Sequence, residues 1–159
     1  MKIVMGSDHA GYRLKEKIKA YLISKGIDVI DVGTYSEESC DYPDYAIKAV
    51  KRYFNSKADF GILICGSGIG MSIVANKFRG IRAAVVDSEE LAILSRKHNH
   101  ANFLCLGARF LDDDYAIKIV DVWLSTEEEL GRHERRVNKI RKLEEKVFKE
   151  NYFNGLLGD

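Results

Sequence analysis

Five short apolar segments alternate with amphipathic segments along this chain, and this alternation limits the fold more than any other feature. The segments with the pattern of strands are Lys2–Met5, Ile27–Val32, Phe60–Cys65, Ile81–Val86 and Phe103–Leu106. The segments with helical spacing are Tyr12–Lys25, Tyr45–Phe54, Gly70–Lys77, Ser88–Lys97, Asp112–Leu124 and Arg132–Asn151. Strands and helices that alternate in this way form a parallel sheet covered on both faces. The sequence therefore predicts an α/β fold.

The composition indicates one globular domain over residues 1–159. Hydrophobic residues make up 46% of the chain and charged residues 31%, with no repeat, linker or low-complexity segment. The net charge of +1 gives no general attraction for nucleic acid or an anionic membrane, so an anion site has to be local. We find neither a signal-peptide layout nor an apolar run of transmembrane length. Three cysteines are too few for a disulfide framework, so we expect reduced thiols and a cytoplasmic location.

The segments that follow the predicted strands are where a parallel sheet binds its ligands. After the first strand comes "GSDHAG", which places Asp8 and His9 at that edge. Either residue alone has an ordinary interpretation, Asp8 as a helix cap and His9 as a surface residue. Together at the end of the first strand they are candidate functional residues.

The turn "CGSGIG", Cys65–Gly70, follows the third and most apolar strand. Glycines let backbone N–H groups approach an anion, and the start of a helix adds partial positive charge that favours a thiolate at Cys65. The alternative is a packing turn with a small buried cysteine. A nucleotide P-loop needs Gly-Lys-Ser/Thr where Gly70-Met71-Ser72 stands, and a cysteine phosphatase needs arginine at Met71. A receiver domain needs aspartate where Cys65 stands, and "GSDHAG" is not a dinucleotide fingerprint.

Two further stretches carry candidate polar residues. In "KHNHAN", His98 and His100 have no carboxylate or cysteine nearby in sequence at ligand spacing, so we predict no metal site. His98 is suited to acid–base chemistry and Asn99 to binding hydroxyls. In "GRHERRV", Arg132 and Arg136 lie at i and i+4, a spacing that suits a phosphate dianion, although a solvated charged face has the same pattern.

Five stretches in register resemble type B ribose 5-phosphate isomerase, a family with relatives that act on allose 6-phosphate and galactose 6-phosphate. They are "SDHAG", "DYPDYA", "ILICGSGIGMSIVANKFRGIRAA", "SRKHNHANFLCLGAR" and "GRHERRV", and the resemblance runs from Lys2 to about Val137. It implies a three-layer α/β/α sandwich whose five parallel strands have the order 2-1-3-5-4. It also implies a homodimer, sometimes a tetramer, whose sites are shared between subunits and reached by the long C-terminal helix.

The resemblance further implies reversible interconversion of ribose 5-phosphate and ribulose 5-phosphate, within the pentose phosphate pathway. The reaction passes through a cis-enediolate and uses no metal or organic cofactor. Cys65 matches the base, Ser67 lies near the reacting carbons, and Asp8 and His98 match residues that open the sugar ring. The residues that match substrate-binding positions are His9, Tyr42, Gly66, Gly68, Ile69, Gly70, Asn99, Arg109, Arg132 and Arg136.

Two positions bear on which branch of the family the chain resembles. One branch lacks the cysteine and has a glutamate base where Met71 stands, so this chain resembles the cysteine branch. His100 is a departure, because relatives more often carry Asp or Asn there. The alternatives that stay open are a six-carbon phosphosugar as substrate and a non-catalytic phosphosugar-binding regulatory domain. Such a regulatory domain would not need Cys65, Asp8 and His98.

Overall fold

Strands and helices alternate along the chain in the computed structural model, which describes residues 1–148. The strands are β1 (Lys2–Ser7), β2 (Asp28–Asp31), β3 (Phe60–Cys65), β4 (Ala83–Val85) and β5 (Phe103–Gly107). The helices are α1 (Tyr12–Ser24), α2 (Tyr42–Ser56), α3 (Ile69–Ala75), α4 (Glu89–Asn99), α5 (Asp113–Ser125) and α6 (Arg132–Val147).

The five strands form one parallel sheet in the order β2-β1-β3-β5-β4. The predicted α/β fold and the strand order implied by the resemblance are both confirmed. β1, β3 and β5 are adjacent at the centre, with Met5 beside Ile62 and Leu63 beside Cys105. The segments that follow these three strands therefore meet at one edge of the sheet, and that edge positions the candidate site.

The core has two halves because the side chains of a strand alternate between the two faces of the sheet. In β3, Ile62 and Ile64 pack in a cluster with residues of α1 and α5. Leu63 and Cys65 pack on the opposite face in a cluster with residues of α2 and α3. This arrangement gives three layers and places Cys65 on the α2–α3 face.

Several boundaries differ from the predicted ones. α2 begins at Tyr42 and not at the predicted Tyr45, so Pro43 lies in its first turn. Proline suits that position, because the first helical N–H groups have no partner within the helix. β4 has only three residues, since it is an edge strand that pairs with β5 alone. Ser88, the first residue of the predicted segment Ser88–Lys97, caps α4: the Leu91 N–H donates to Ser88 Oγ at 3.3 Å.

The last described helix packs on α4 and carries most of its side chains into solvent. Only His133 and Val137 of α6 are buried. The predicted end of this helix at Asn151 and the predicted tail 152–159 lie outside the described residues. Within residues 1–148, no helix is both long and apolar enough to span a membrane.

Candidate active site

A cavity of about 310 Å³ opens at the carboxyl ends of β1 and β3 and beside the turn after β5. Eight of the predicted site residues line it, namely Asp8, His9, Tyr42, Cys65, Gly66, Ser67, Gly70 and Arg109. Ala10 and Phe110 line it as well and were not predicted. Each of them follows a predicted site residue, His9 or Arg109, and this adjacency could have identified them. Apolar side chains have no chemical pattern of their own that points to a site.

Cys65 is the last residue of β3, and its sulfur lies inside the glycine turn. The side chain is almost wholly buried, and the Gly68 N–H donates to Cys65 Sγ at 3.1 Å. The backbone is held as well, because the Ala108 N–H donates to the Cys65 carbonyl at 2.9 Å. Cys105 is a contrast: burial first, and the neighbouring Cys65 second, raise the pKa of its thiol far above the ordinary value. Cys65 is therefore the cysteine with both a donor and access to the cavity.

Glycine is required at two positions of this turn for different reasons. Gly68 has a φ of 78°, and a Cβ there would lie 3.0 Å from the backbone of Leu106. Gly70 has ordinary backbone angles, but a Cβ there would lie 2.7 Å from the ring of Tyr42. The turn is therefore fixed by strand packing on one side and by the cavity wall on the other. Predicted Gly68 and Ile69 do not line this cavity, and Ile69 lines a neighbouring one with Ser67 and Phe110.

Asp8 and His9 are both held by backbone groups. Asp8 Oδ1 accepts from the Gly11 N–H at 3.0 Å, so this carboxylate serves the start of α1 as well as lining the cavity. The Cys40 N–H donates to His9 Nδ1 at 3.2 Å. Nδ1 also lies 3.2 Å from the Cys40 carbonyl oxygen, so the Cys40 backbone holds the His9 ring in either neutral tautomer.

Arg109 provides the positive charge of the cavity. Its guanidinium lies against Gly66, where an added Cβ would be 3.2 Å away. Among the side chains of residues 1–148, Arg109 has no carboxylate partner within ion-pair distance. A cation that lines a cavity without a carboxylate partner, next to a glycine turn, indicates an anion site.

The remaining predicted residues, His98, Asn99, Arg132 and Arg136, do not line this cavity. α4 runs back along the sheet, so its last turn, with His98 and Asn99, lies at the opposite edge. Arg82, just before β4, shows this, because its Nε donates to the Asn99 carbonyl at 3.1 Å and to the His100 carbonyl at 2.9 Å. Asn99 lines a separate cavity of about 420 Å³ between α4 and α6.

His98 stacks on His133, a residue that sequence reasoning missed. The ring centroids are 3.9 Å apart and the planes differ by 1°. His133 is 4% exposed, and the Arg132 Nε–H donates to its Nε2 at 3.1 Å. His133 stands inside "GRHERRV", but the prediction there rested on the arginine spacing alone. We call His98, Arg132, His133 and Arg136 the histidine–arginine group.

Glu129 brings a carboxylate to this group that sequence spacing did not reveal. Its Oε1 lies 3.6 Å from His133 Nε2, and potential ligand atoms of His98, Glu129 and His133 lie within 4.8 Å of one another. Parallel stacked rings direct their lone pairs along parallel lines, whereas two imidazoles that bind one metal ion converge on it. Arg132 also donates to the His133 lone pair. The arrangement fits a stacked pair better than a metal site.

The backbone conformation of His100 bears on why relatives more often carry Asp or Asn at this position. It has a φ of 49°, in the left-handed region that Asn and Asp tolerate better than most residues. Here the imidazole binds the loop before α6: Nδ1 lies 3.2 Å from Glu128 Oε2, and Nε2 lies 3.1 Å from the Glu129 carbonyl. These contacts fix the start of α6 beside the end of α4.

The sequence of the chain is similar to that of a known protein family. Residues 3–140 match the family model described as Ribose/Galactose Isomerase. The chain belongs to this family. Ribose-5-phosphate isomerase B of Escherichia coli K12 is 47% identical over 145 residues, which cover 91% of this chain and 97% of that protein.

Solved structures of this isomerase family have the same fold. A ribose 5-phosphate isomerase from Thermotoga maritima is 56% identical with a TM-score of 0.85, covering 89% of this chain and 97% of that one. Ribose-5-phosphate isomerase B from Mycoplasma genitalium with bound ribulose-5-phosphate is 46% identical with a TM-score of 0.85. That match covers 91% of this chain and 96% of the other. The family named from five sequence stretches is therefore confirmed.

Proposed function

We propose that this chain is an aldose–ketose isomerase that interconverts ribose 5-phosphate and ribulose 5-phosphate, with Cys65 as the base. The observation that carries the proposal is the thiol of Cys65, which lines the cavity with the Gly68 N–H directed at its sulfur. Removing a proton next to a carbonyl needs a base and an oxyanion site together. The glycine turn supplies both within a few residues.

The proton moves between two adjacent carbons in this scheme. The Cys65 thiolate takes the proton from C2 of the open-chain aldose, and the electron pair forms the C1–C2 double bond of a cis-enediolate. N–H groups of the turn, Gly66 to Gly70, stabilise the negative charge that develops on O1. A proton passes from O2 to O1, with Ser67 beside both oxygens, and the thiol returns its proton to C1. The C2 carbonyl of the ketose then forms, and the thiolate is regenerated.

The phosphate binds away from the reacting carbons and orients the sugar. We assign it to His9 and Arg109 in the cavity, joined by Arg132 and Arg136. Neither Arg132 nor Arg136 has a carboxylate partner within ion-pair distance among residues 1–148. Three arginines that lack carboxylates suit a dianion.

We also propose a homodimer in which each cavity receives the histidine–arginine group of the other subunit. Within one chain these residues lie at the opposite edge of the sheet from Cys65, so a two-fold arrangement is the simplest way to join them. His98 then acts with Asp8 on the sugar ring, and Asn99 binds a sugar hydroxyl. We place the enzyme in the cytoplasm, which is supported by three cysteines that are all free.

The test is an assay of the purified protein with ribose 5-phosphate and no added metal, beside allose 6-phosphate at the same concentration. Ribulose 5-phosphate formation that Cys65→Ala abolishes, with phosphosugar binding retained, is the expected result. A clear preference for the six-carbon sugar would keep the chemistry and change the substrate. Binding of both sugars without turnover would contradict the proposal and favour a regulatory domain.

A further inference from the structure

We propose that His133 is a positioning residue, which holds the His98 ring by stacking in the orientation needed to open the cyclic sugar. The inference rests on the proposed function, because it assigns His133 a part in a step performed by His98. It goes further by separating that step from proton transfer at carbon. Within one chain His133 does not line the Cys65 cavity, so it has no part in holding the Cys65 base, and the two steps can be tested separately.

The buried ring of His133 provides a flat surface on which the His98 ring is stacked. The two rings lie parallel within 1° at a centroid distance of 3.9 Å. His133 is buried near the start of α6, whereas His98 is half-buried in the last turn of α4. A half-buried side chain at a helix end has several accessible rotamers, and a flat buried neighbour in contact with its face restricts them.

The protonation state of His133 is suited to this role. The Arg132 Nε–H donates to His133 Nε2, which requires an unprotonated nitrogen there and leaves the proton of the neutral ring on Nδ1. Burial, and next the positive charge on His98, lower the pKa of His133; Arg132 and Arg136 act in the same direction against the opposing effect of Glu129. The neutral form of His133 is therefore favoured.

The anchoring of α6 keeps the two rings together. The Glu129 N–H donates to the Lys97 carbonyl at 3.1 Å, one residue before His98. Arg96 Nη1 lies 3.3 Å from Glu128 Oε1, and His100 binds the same carboxylate. The loop before α6 is thus tied to the last turn of α4 on both sides of His98.

The two substrates of the reaction allow the ring-opening step to be isolated. Ribose 5-phosphate is mainly a cyclic hemiacetal: opening it moves a proton from O1 to O4 as the C1–O4 bond breaks and the C1 carbonyl forms. Ribulose 5-phosphate is open-chain, because its O5 carries the phosphate and cannot close a ring on C2. Exchange of its C1 hydrogen with deuterated water therefore needs the Cys65 base but no ring opening.

The experiment compares His133→Leu, which removes the stacked ring, with His133→Phe, which keeps a ring without nitrogen. We expect His133→Leu to lower kcat for ribose 5-phosphate roughly tenfold, part of the 10²–10⁴-fold typical of acid–base assistance. Deuterium exchange into ribulose 5-phosphate, followed by NMR, is expected to stay near the wild-type rate. His133→Phe is expected to keep most of the isomerisation. Arg135→Leu, an exposed position of the same helical turn, is the matched control.

A spectroscopic measurement tests the contact itself. In the wild-type protein the stacked ring shifts the proton resonances of the His98 imidazole upfield through its ring current. We expect that shift to persist in His133→Phe and to disappear in His133→Leu. It can be read from His133→Phe alone if His133→Leu does not fold.

Three results would overturn the inference: unchanged isomerisation in His133→Leu, an equal loss of isomerisation and exchange, or a defect in His133→Phe as large as in His133→Leu. An unshifted His98 ring in the wild type would overturn it as well. Failure of the proposed function is distinguishable, because the wild-type protein would then catalyse neither isomerisation nor exchange.

Discussion

The Cys65 cavity and the histidine–arginine group contain the two halves of one predicted site, yet the chain builds them in opposite ways. In the cavity, backbone groups hold three of the functional side chains: the N–H groups of Gly68, Gly11 and Cys40 donate to Cys65, Asp8 and His9. In the histidine–arginine group, side chains hold one another, and Arg132 and Arg136 lie exposed. In the second, Glu129 lies beside His133, but Arg132 and Arg136 have no carboxylate partner among residues 1–148.

The lysines of α1 are an example of cations that are paired with carboxylates in the same molecule. Lys15 is fully buried, 2.5 Å from Asp31 and 2.9 Å from Glu16, and Lys19 lies 2.8 Å from Asp31. Lysines with a structural role are matched by carboxylates here. Arg109 has no carboxylate partner among residues 1–148 and also lines the cavity, and these two features together make it a candidate for binding an anion.

The largest expected effect comes from removing the base of the cavity. Cys65→Ala should lower kcat for ribose 5-phosphate roughly a thousandfold or more, because a lost catalytic nucleophile or base removes the chemical step. Phosphosugar binding, measured by calorimetry, should persist. Cys105→Ala is the matched control, since that thiol is buried and held protonated, and its activity should stay near wild type. Normal turnover in Cys65→Ala would remove this residue as the base.

Mixing two inactive variants tests whether the two halves meet across subunits. Cys65→Ala and His98→Ala, refolded together, should give mixed dimers in which one of the two sites is intact. With random pairing about a quarter of wild-type activity should return, at least a hundredfold above either variant alone. The measurement is isomerase activity of the refolded mixture, with each variant refolded separately as the control. No recovery in dimers that demonstrably exchange subunits would mean that the site is not shared.

Gly68→Ala should disturb the glycine turn of the Cys65 cavity. The left-handed φ and the close Leu106 backbone both oppose a Cβ, so we expect a loss of about 1–2 kcal/mol in unfolding free energy. Displacing the N–H that contacts Cys65 should lower kcat/KM about 100-fold. Urea unfolding and steady-state kinetics check the two parts. Gly80→Ala, also at positive φ but with open space around it, controls for strain alone.

Arg136→Ala, in the histidine–arginine group, should have a smaller effect on catalysis than Gly68→Ala. We expect KM for ribose 5-phosphate to rise about tenfold with kcat nearly unchanged, because a phosphate contact contributes binding and not chemistry. Arg135→Ala, the neighbouring exposed arginine, should leave KM unchanged. Equal KM values for the two variants would identify Arg136 as part of a solvated face.

The smallest effect concerns the matched charges of α1. Burial would raise the pKa of Asp31, but hydrogen bonds from Lys15, Lys19 and the Gly33 N–H outweigh it and leave the pKa below its ordinary value of 3.8. The stability that this carboxylate contributes is therefore present above about pH 4 and is lost as the pH falls through the lowered folded pKa. Asp31→Asn should be less stable than wild type at pH 7, and the gap should shrink below pH 4. Urea unfolding at pH 7, 5 and 3 measures it.

Local sequence patterns predicted most residues of the Cys65 cavity. Phe60–Cys65 was predicted as a central strand with the observed ends, and the end of β1 with the turn after β3 identified Asp8, His9 and Cys65. These residues lie close to strand ends in sequence, where a parallel sheet collects its ligands. Tyr42, at the start of α2, was predicted only from the resemblance. Phe110 follows β5 closely but was missed, because an apolar side chain carries no chemical pattern.

The histidine–arginine group was harder to predict because its contacts join segments far apart in the chain. His133 and His98 stack across α4 and α6, and Glu129 reaches them from a loop that no spacing rule connects to His98. The extent of β4 was likewise set by its edge position, which strand order alone decides.

The sequence by itself determined the α/β class, the cysteine–glycine turn and, through five motifs in register, the family. Those features depend on periodicity, turn chemistry and residue order, which are local properties of a chain. Only the tertiary structure decided which predicted residues share a cavity. α4 returns along the sheet, so its last turn and the α6 residues stacked on it lie at the edge opposite Cys65. A helix between two parallel strands has to return in this way. What the sequence does not record is which distant residues then meet, as His98 and His133 do.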